Sequence, residues 1–291
     1  MDLKGHGVAL ITPFDDNGQI DFDSFKSHID NLIFSKINYL VVLGTTAEVS
    51  TLSISEQVKI SNFVIEINNG RVPLIIGIGG NHTKSVIDKI KIFNINQFQA
   101  ILSVCPYYNS PNQIGLYKHF SEISKHCPIP LILYNVPSRT GINIKPITVL
   151  DLANNHDNII GIKEANNNIK QINELIYFSS NKIQVVSGND LIASESIING
   201  AKGVISVIGN ALPKKFNQLV DLSINKNRTS VSKKNKELIN MINLIYEEGS
   251  PSGIKALLSQ MGMCNNVLRL PLVKVSNMLY ARISEELKFF L

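Results

Sequence analysis

The sequence predicts an α/β protein, an (α/β)8 barrel with a C-terminal helical extension, and two patterns lead to this prediction. Eight short apolar segments rich in β-branched residues recur before residue 210 of the 291-residue chain. Their starts lie about 20 to 35 residues apart, which is the length of a strand–helix unit. Each segment is apolar throughout, as in parallel strands that are buried on both faces. The stretches between them repeat their apolar residues with helical periodicity, and eight such pairs close an α/β barrel.

Strands and helices alternate along the chain in this prediction. The predicted strands are 8–11, 39–43, 74–78, 100–104, 131–134, 159–162, 183–186 and 204–207. The predicted helices between them are 22–34, 55–67, 85–93, 116–124, 148–153, 169–178 and 194–199. After residue 210 only helices are predicted, at 214–223, 230–246, 254–260 and 275–290. We therefore expect a barrel domain over residues 1–224 and a C-terminal helical domain over residues 225–291.

A doubly wound nucleotide-binding sheet is the competing architecture for alternating strands and helices. Its glycine fingerprint, GxGxxG, belongs directly after an early strand. The nearest candidate is the segment 77–82, where His82 stands in place of the last glycine. We interpret this segment as a closely packed loop after the third strand.

Composition narrows the possible functions. The formal net charge of +5 suits either nucleic acid or anionic metabolites. Much of the basic excess lies in residues 226–236, which lack the interspersed aromatic residues of single-strand binders. A solvated helix end is the better interpretation, and no nucleic-acid partner is expected. No apolar run is long enough to predict a membrane span, and the N-terminal residues do not resemble a signal peptide.

The cysteines and histidines predict neither disulfides nor a metal site. The three cysteines are Cys105, Cys127 and Cys264, an odd number without a CxxC pair. Such cysteines are typical of reduced thiols, so a cytoplasmic location is expected. The six histidines show no ligand spacing, and no metal is predicted.

Lys163 is the sharpest candidate for chemistry. Active sites of α/β barrels lie at the C-terminal ends of the strands, and Lys163 directly follows the predicted sixth strand. An apolar surround favours the neutral amine, which is the form that attacks a carbonyl. Two alternatives remain open at this point. The lysine could pair with the neighbouring Glu164, or its side chain could reach solvent.

Four other polar residues lie at the ends of predicted strands or just beyond them and belong to the same candidate site. Tyr134 ends the fifth strand and could move protons at Lys163, or it could be a core tyrosine. Arg139 lies in the next loop, where its guanidinium could hold a carboxylate or form a surface ion pair. Thr45 and Thr46 could bind a carboxylate or cap the following helix. Their shared position at strand ends strengthens each assignment.

Several strings in the chain resemble the dihydrodipicolinate synthase family of pyruvate-dependent class I aldolases. The strings are GTTAEVSTL (44–52), PYYNSP (106–111), YNVPSRTG (134–141), GIKEA (161–165), SGND (187–190), GAKGVISVIGN (200–210) and LRLPLV (268–273). The resemblance covers nearly the whole chain. It implies condensation of pyruvate with aspartate 4-semialdehyde in the diaminopimelate route to lysine. It further implies a homotetramer built from dimers, with no metal or organic cofactor.

The resemblance also implies roles for individual residues. Lys163 would form the Schiff base with pyruvate, and Tyr134 would donate and accept protons. Thr45 would relay protons between Tyr134 and a Tyr108 contributed by a neighbouring subunit. The remaining residues would bind the substrates: Thr46 and Ile205 pyruvate, Arg139 the carboxylate of the semialdehyde, and Gly188 and Asn189 the second-substrate side.

Two departures from the family pattern carry expectations. Ala47 replaces a glycine, which is tolerable if that backbone does not need a positive φ. The lysine feedback site of some members corresponds here to Val49, Ser50, Ile54, Gln57, Asn81, Ser85 and Tyr107. Only Asn81 and Tyr107 fit, and Ser85 stands where a carboxylate would hold the lysine ammonium. Weak or absent inhibition by lysine is therefore expected.

Two other functions remain as alternatives. An N-acetylneuraminate lyase or a keto-deoxy sugar-acid aldolase would share Lys163 and Tyr134. The string YNVPSRTG, with Arg139, and the string GIKEA fit a compact carboxylated aldehyde better than a sugar. From another class, a barrel could serve as a non-catalytic regulatory or binding protein. The full set of Lys163, Tyr134, Thr45 and Tyr108 argues against that.

Overall fold

Eight parallel strands close into a barrel, as predicted. The computed structural model describes residues 1–179 and 182–290. Residues 180, 181 and 291 belong to the predicted domain ranges and lie outside the described part. The strands are β1 (Gly5–Ala9), β2 (Tyr39–Val42), β3 (Leu74–Gly77), β4 (Ala100–Val104), β5 (Leu131–Asn135), β6 (Ile159–Glu164), β7 (Gln184–Ser187) and β8 (Gly203–Ser206). Each strand pairs with the next along the chain, and β8 pairs with β1 to close the barrel.

Helices surround the barrel and continue beyond it. Those that accompany the strands are α1 (Phe22–Phe34), α2 (Ile54–Asn68), α3 (Thr83–Ile90), α4 (Gln113–His126), α5 (Pro137–Thr140), α6 (Pro146–Asn155), α7 (Ile169–Ser179), α8 (Ala193–Ile198) and α9 (Pro213–Ile224). The C-terminal helices are α10 (Arg228–Glu247), α11 (Ser252–Gln260) and α12 (Asn277–Leu287). None of the helices in the described residues has the length and apolarity needed to cross a membrane.

Buried apolar side chains form separate layers inside and outside the barrel. Inside lie residues such as Tyr39, Ile132 and Ile205. A larger cluster fills the space between the strands and the helices around them. This arrangement explains why the strand segments are apolar throughout, because both faces of each strand are covered.

The C-terminal helices share a hydrophobic cluster with the last barrel helices. Phe216 of α9, Leu238 of α10, Leu257 of α11 and Ile283 of α12 are all buried in it. The cluster crosses residue 224, so the helical extension packs directly against the barrel. The division into domains 1–224 and 225–291 stays a prediction.

Only β4 has its predicted bounds; five strands differ by one residue at one or both ends, and β1 and β6 differ by more. Strand β1 begins at Gly5 rather than at residue 8, because β1 and β8 approach so closely that a Cβ at Gly203 would lie 2.0 Å from the Gly5 carbonyl oxygen. An apolar pattern does not reveal strand residues that are glycines. Strand β6 runs to Glu164, two residues beyond the prediction. Lys163 therefore lies within the sheet rather than after it.

The glycine-rich segment after β3 is the closely packed loop that its sequence predicts. A Cβ at Gly77 would lie 2.3 Å from the carbonyl oxygen of Leu43, and one at Gly79 would lie 2.9 Å from the backbone nitrogen of Val104. Glycine is needed here for the close approach of neighbouring backbones.

Candidate active site

Two adjoining cavities open at the C-terminal ends of the strands. Their volumes are about 500 and about 330 Å³. Both are lined by the same five residues, Thr45, Tyr134, Val136, Arg139 and Lys163. Four of these five are candidates from the sequence, and they lie where active sites of α/β barrels are found.

Lys163 lies on β6 with its side chain directed into these cavities. It is paired in register with Tyr134 of β5 on one side and with Val186 of β7 on the other. The Lys163 Nζ lies 4.3 Å from the centroid of the Tyr134 ring. The residue is 6% exposed, so the amine is withdrawn from bulk solvent yet reachable through the cavity. Within the described part of the chain, Lys163 takes part in no salt bridge.

Glu164 does not pair with Lys163, so that alternative is wrong. Successive residues of a strand point to opposite faces of the sheet, and Glu164 faces away from the cavity. Its carboxylate accepts hydrogen bonds from the Asn135 and Gln171 side chains, at 2.9 to 3.0 Å, and from the Asn166 N–H at 2.7 Å. Burial nevertheless raises the pKa of Glu164 above its usual value.

Gly188 leaves room for the lysine side chain. A Cβ at this position would lie 2.9 Å from Lys163 Cε and 2.8 Å from the Ala165 Cβ. Gly188 has no positive φ, so the requirement is steric. Both Gly188 and its neighbour Asn189 line the second cavity.

Thr45 and Thr46 form a single 3-10 turn with Ala47 after β2. They do not cap the next helix, because α2 begins after Ser53, which makes a capping box with Glu56. Ala47 has an ordinary φ, which removes the concern about the missing glycine, and the positive φ falls on Glu48 instead. Thr45 lines both cavities and Thr46 the second. In the described residues the Thr45 carbonyl accepts the Glu48 N–H and the Tyr134 carbonyl accepts the Cys105 N–H, and Thr45 and Tyr134 are not hydrogen-bonded to each other.

Arg139 lies on the short helix α5 and not in a loop as expected. Pro137 starts this helix directly after β5, which turns Arg139 back over the barrel end. The guanidinium Nη2 donates a hydrogen bond of 2.7 Å to the carbonyl oxygen of Ser250. Arg139 lines both cavities, where a planar guanidinium can bind a carboxylate with two parallel hydrogen bonds.

Ile205 and Tyr108 lie outside the cavity walls. Ile205 is buried inside the barrel in the same cluster as Tyr134. Tyr108 is 92% exposed, with a φ of 73°, and its side chain does not line either cavity of its own chain. The adjacent Tyr107 lines the first cavity instead.

The C-terminal helices contribute residues that the sequence did not indicate. Tyr246 of α10 lines the second cavity, and its hydroxyl donates a 3.1 Å hydrogen bond to Asp190 Oδ2. The same oxygen accepts the N–H groups of Val207 and Ile208. Asp190 belongs to the SGND string, but Tyr246 lies on a helix far along the chain and carries no local signal.

Residues that could bind a metal do not cluster in the described part of the chain. No group of three or more histidine, cysteine, aspartate or glutamate side chains with ligand geometry occurs there. Burial raises the pKa of the Cys127 thiol to about 12, which keeps it protonated.

Comparison with known proteins adds an independent finding. A sequence model of the dihydrodipicolinate synthetase family matches residues 2–289. A 4-hydroxy-tetrahydrodipicolinate synthase of Azobacteroides pseudotrichonymphae is 44% identical over 288 residues, which are 99% of this chain and 97% of the relative.

Solved structures are similar as well. The structure of the chloride-inhibited dihydrodipicolinate synthase of Acinetobacter baumannii with pyruvate superposes with a TM-score of 0.96 at 35% identity, covering 99% and 98% of the two chains. A structure described as a monomeric dihydrodipicolinate synthase variant has a TM-score of 0.95 at 34% identity, with coverage of 98% and 96%. The matched strings, the barrel and these similarities agree, and the chain belongs to the dihydrodipicolinate synthetase family.

Proposed function

We propose that this protein condenses pyruvate, held as a Schiff base on Lys163, with L-aspartate 4-semialdehyde to give 4-hydroxy-tetrahydrodipicolinate. The observation that carries the proposal is the Lys163 amine, which lies beside the Tyr134 phenol in the cavity at the strand ends and has no ion-pair partner among the described residues. The family relatives act as synthases of this product by name. The proposed place is the diaminopimelate route to lysine.

The first stage builds the nucleophile. The Lys163 amine attacks the C2 carbonyl of pyruvate, and one water leaves as the C=N bond forms. Loss of a proton from C3 converts this imine to an enamine, which is nucleophilic at C3. Tyr134 is positioned beside Lys163 to accept and return the protons of these steps.

The second stage forms the ring and frees the lysine. The enamine C3 attacks the aldehyde carbon of the semialdehyde, and the aldehyde oxygen takes up a proton to become the hydroxyl group. The amino group of the second substrate then attacks the imine carbon and displaces the Lys163 amine. The ring closes with its own C=N bond, and one water in total has been released.

The other residues would bind the two substrates. The proposal assigns the semialdehyde carboxylate to Arg139, whose guanidinium lines both cavities. The turn that carries Thr46 would hold the pyruvate carboxylate, with Ile205 beneath it as an apolar contact. Gly188 and Asn189 form the wall on the second-substrate side.

Assembly belongs to the same proposal. Thr45 would pass protons between Tyr134 and the Tyr108 of a neighbouring subunit, in a homotetramer built from two dimers. The exposure of Tyr108 supports this, because a large aromatic side chain that is 92% exposed is a natural interface residue. One related solved structure is described as a monomeric dihydrodipicolinate synthase variant. Unclustered cysteines are typical of a reducing compartment, and the cytoplasm is the proposed location.

Borohydride trapping tests the central step. Reduction in the presence of pyruvate should attach pyruvate, less one oxygen atom, to the peptide that contains Lys163, as measured by mass spectrometry. A Lys163→Arg variant is the matched control, because it keeps a long basic side chain but cannot form the imine. An unmodified Lys163 in the wild-type protein would refute the proposal.

A pyruvate-consumption assay decides the second substrate. Aspartate semialdehyde should support turnover, and sugar aldehydes should not, because the pocket presents a carboxylate-binding guanidinium in a small space. Turnover with an N-acetylated amino sugar or a keto-deoxy sugar acid instead would indicate a sister aldolase.

A further inference from the structure

A buried ion pair joins the turn of Thr45 and Thr46 to the C-terminal helices. Glu48 directly follows that turn, and Lys255 lies on α11. The Lys255 ammonium donates a hydrogen bond to Glu48 Oε1, and both side chains are fully buried. Neither residue lines the two cavities, and the proposed chemistry does not use either of them.

Further contacts hold both members of the pair. The second oxygen of Glu48 accepts the backbone N–H of Arg269 at 3.1 Å. Lys255 Nζ also donates to the carbonyl oxygen of Val267 at 2.9 Å and lies 4.1 Å from the centre of the Phe14 ring. Burial lowers the pKa of the Lys255 amine, and the Glu48 carboxylate limits that fall.

The backbone of Glu48 is held in a conformation that glutamate rarely adopts. Its φ is 55°, in the left-handed region, where a residue with a Cβ is strained. In this conformation its N–H bonds to the Thr45 carbonyl, and its own carbonyl accepts the N–H and hydroxyl of Thr51. The Thr12 hydroxyl bonds to the carbonyl of Ala47 at 2.8 Å. Each of these contacts defines where the Thr45–Ala47 turn lies.

We propose that Glu48 and Lys255 are positioning residues, whose buried ion pair holds the Thr45–Thr46 turn in the geometry needed for catalysis. A plain stabilising role is a weak explanation, because removing two charges from water costs about as much as their attraction returns. Strained backbone that persists beside an active site is typical of positioning. The inference rests on the proposed function, since it assumes that Thr46 holds pyruvate and that Thr45 serves Tyr134.

The key variant is Lys255→Met, which keeps an unbranched side chain only one atom shorter and removes the charge. With its partner gone, Glu48 should move and carry the turn with it. The KM for pyruvate should then rise and kcat should fall about tenfold or more, because a misplaced catalytic group loses its orientation. The KM for aspartate semialdehyde should stay near the wild-type value, because Arg139 lies on α5 and is held separately by Ser250.

Two further proteins separate positioning from stability. Ile283→Ala removes a fully buried side chain from the same helical cluster without touching the turn, so it should lower the melting temperature and leave both KM values unchanged. The double variant Glu48→Gln/Lys255→Met buries no lone charge. It should recover melting temperature relative to Lys255→Met and keep the raised KM for pyruvate.

The outcomes are distinct. A wild-type KM for pyruvate in Lys255→Met, or its recovery together with melting temperature in the double variant, would overturn the positioning role. If Lys255→Met does not fold, the double variant alone decides by the same KM. Failure of the wild-type protein to trap pyruvate at Lys163 would refute the proposed function instead.

Discussion

At the scale of single residues, the site depends on how neighbouring side chains share limited space. Lys163 extends across the position of Gly188 and lies over the Tyr134 ring, so the amine has a defined place in the cavity. The site therefore requires a residue without a side chain at position 188, because a Cβ there would occupy the space of the Lys163 side chain. This contact cannot be inferred from the SGND string, because it joins two different strands.

Gly188→Ala should impair imine formation without unfolding the protein. The added methyl group would lie 2.9 Å from Lys163 Cε and would push the side chain from its place. The rate of borohydride trapping with pyruvate should fall, with little change in the melting temperature. The second-site change Ala165→Gly should restore part of the rate, because the Ala165 Cβ, at 2.8 Å, is the atom nearest to the added methyl group. Trapping at the wild-type rate in Gly188→Ala would show that the added methyl group does not hinder imine formation at Lys163.

Lysine should inhibit the protein weakly or not at all. Val49, Ser50, Gln57 and Tyr107 line the first cavity, at positions that correspond to the feedback site of other members. The Ser85 hydroxyl is hydrogen-bonded to the His82 ring. A serine at this position supplies no carboxylate for a lysine ammonium. Titration of turnover with lysine measures this directly, and strong inhibition at sub-millimolar lysine would contradict it.

At the scale of elements, strand register and short helices bring the candidate residues together. Register alone places Tyr134 next to Lys163, since the two are paired between β5 and β6. The four-residue helix α5 then folds Arg139 back over the strand ends. Residues that are distant in sequence thus meet at one end of the barrel.

Replacing Arg139 should affect the second substrate and spare the first. Arg139→Ala removes a charge-assisted contact and should raise the KM for aspartate semialdehyde by about tenfold to a hundredfold. Arg139→Lys keeps the charge without the planar fork and should recover only part of the loss. Pyruvate trapping at Lys163 should stay at the wild-type rate in both variants. If trapping fell equally, Arg139 would be acting on the fold or on pyruvate instead.

At the scale of the whole molecule, the barrel and the C-terminal helices act as one packed unit, while the site opens toward an exposed aromatic residue. The shared cluster of α8 to α12 lets Tyr246 and Ser250 contribute to the cavity from beyond the barrel. Tyr108, in contrast, points away from its own chain. In the proposed mechanism a neighbouring subunit would supply this tyrosine.

Tyr108→Phe should slow turnover and leave the fold intact. The change removes one exposed hydroxyl, so the melting temperature should not move, whereas the relay from Thr45 to a neighbouring subunit would be broken. Wild-type activity per chain should also fall on dilution below the assembly concentration, which light scattering would identify. Unchanged turnover in Tyr108→Phe would remove the relay from the proposed mechanism.

Buried histidines should make the protein less stable in mild acid. Burial lowers the pKa of His6 and of His28 from 6.5 to about 4. Between these values the unfolded chain binds protons that the folded chain does not, so stability is full above pH 6.5 and falls as the pH drops toward 4. The loss is at most about 3 kcal/mol for each histidine.

Urea denaturation at several pH values measures this slope. Glu164 and Asp190 reduce this loss of stability in acid. Burial raises the pKa of both carboxyl groups, so the folded chain binds their protons more readily than the unfolded chain does. His28→Gln should flatten the slope, and an unchanged slope would assign the acid sensitivity to other groups.

The sequence by itself determined the barrel, the alternation of its strands and helices, and the main candidate residues of the site. Apolar strands that recur at strand–helix spacing allow few other folds, and the strand-end rule then selects Lys163, Tyr134, Thr45 and Arg139. Helix α1 has its predicted bounds, because Asp21 caps it and its apolar residues keep one period. These are local patterns, and local patterns are what a sequence displays directly.

Only the tertiary structure decided how the site is held in place. It separated Lys163 from Glu164, placed the Gly188 backbone against the lysine, and brought Tyr246, Lys255 and Ser250 to the barrel end. Each of these contacts joins segments far apart along the chain. Their existence depends on strand register and on the packing of helices against the closed barrel, which no short stretch of sequence contains.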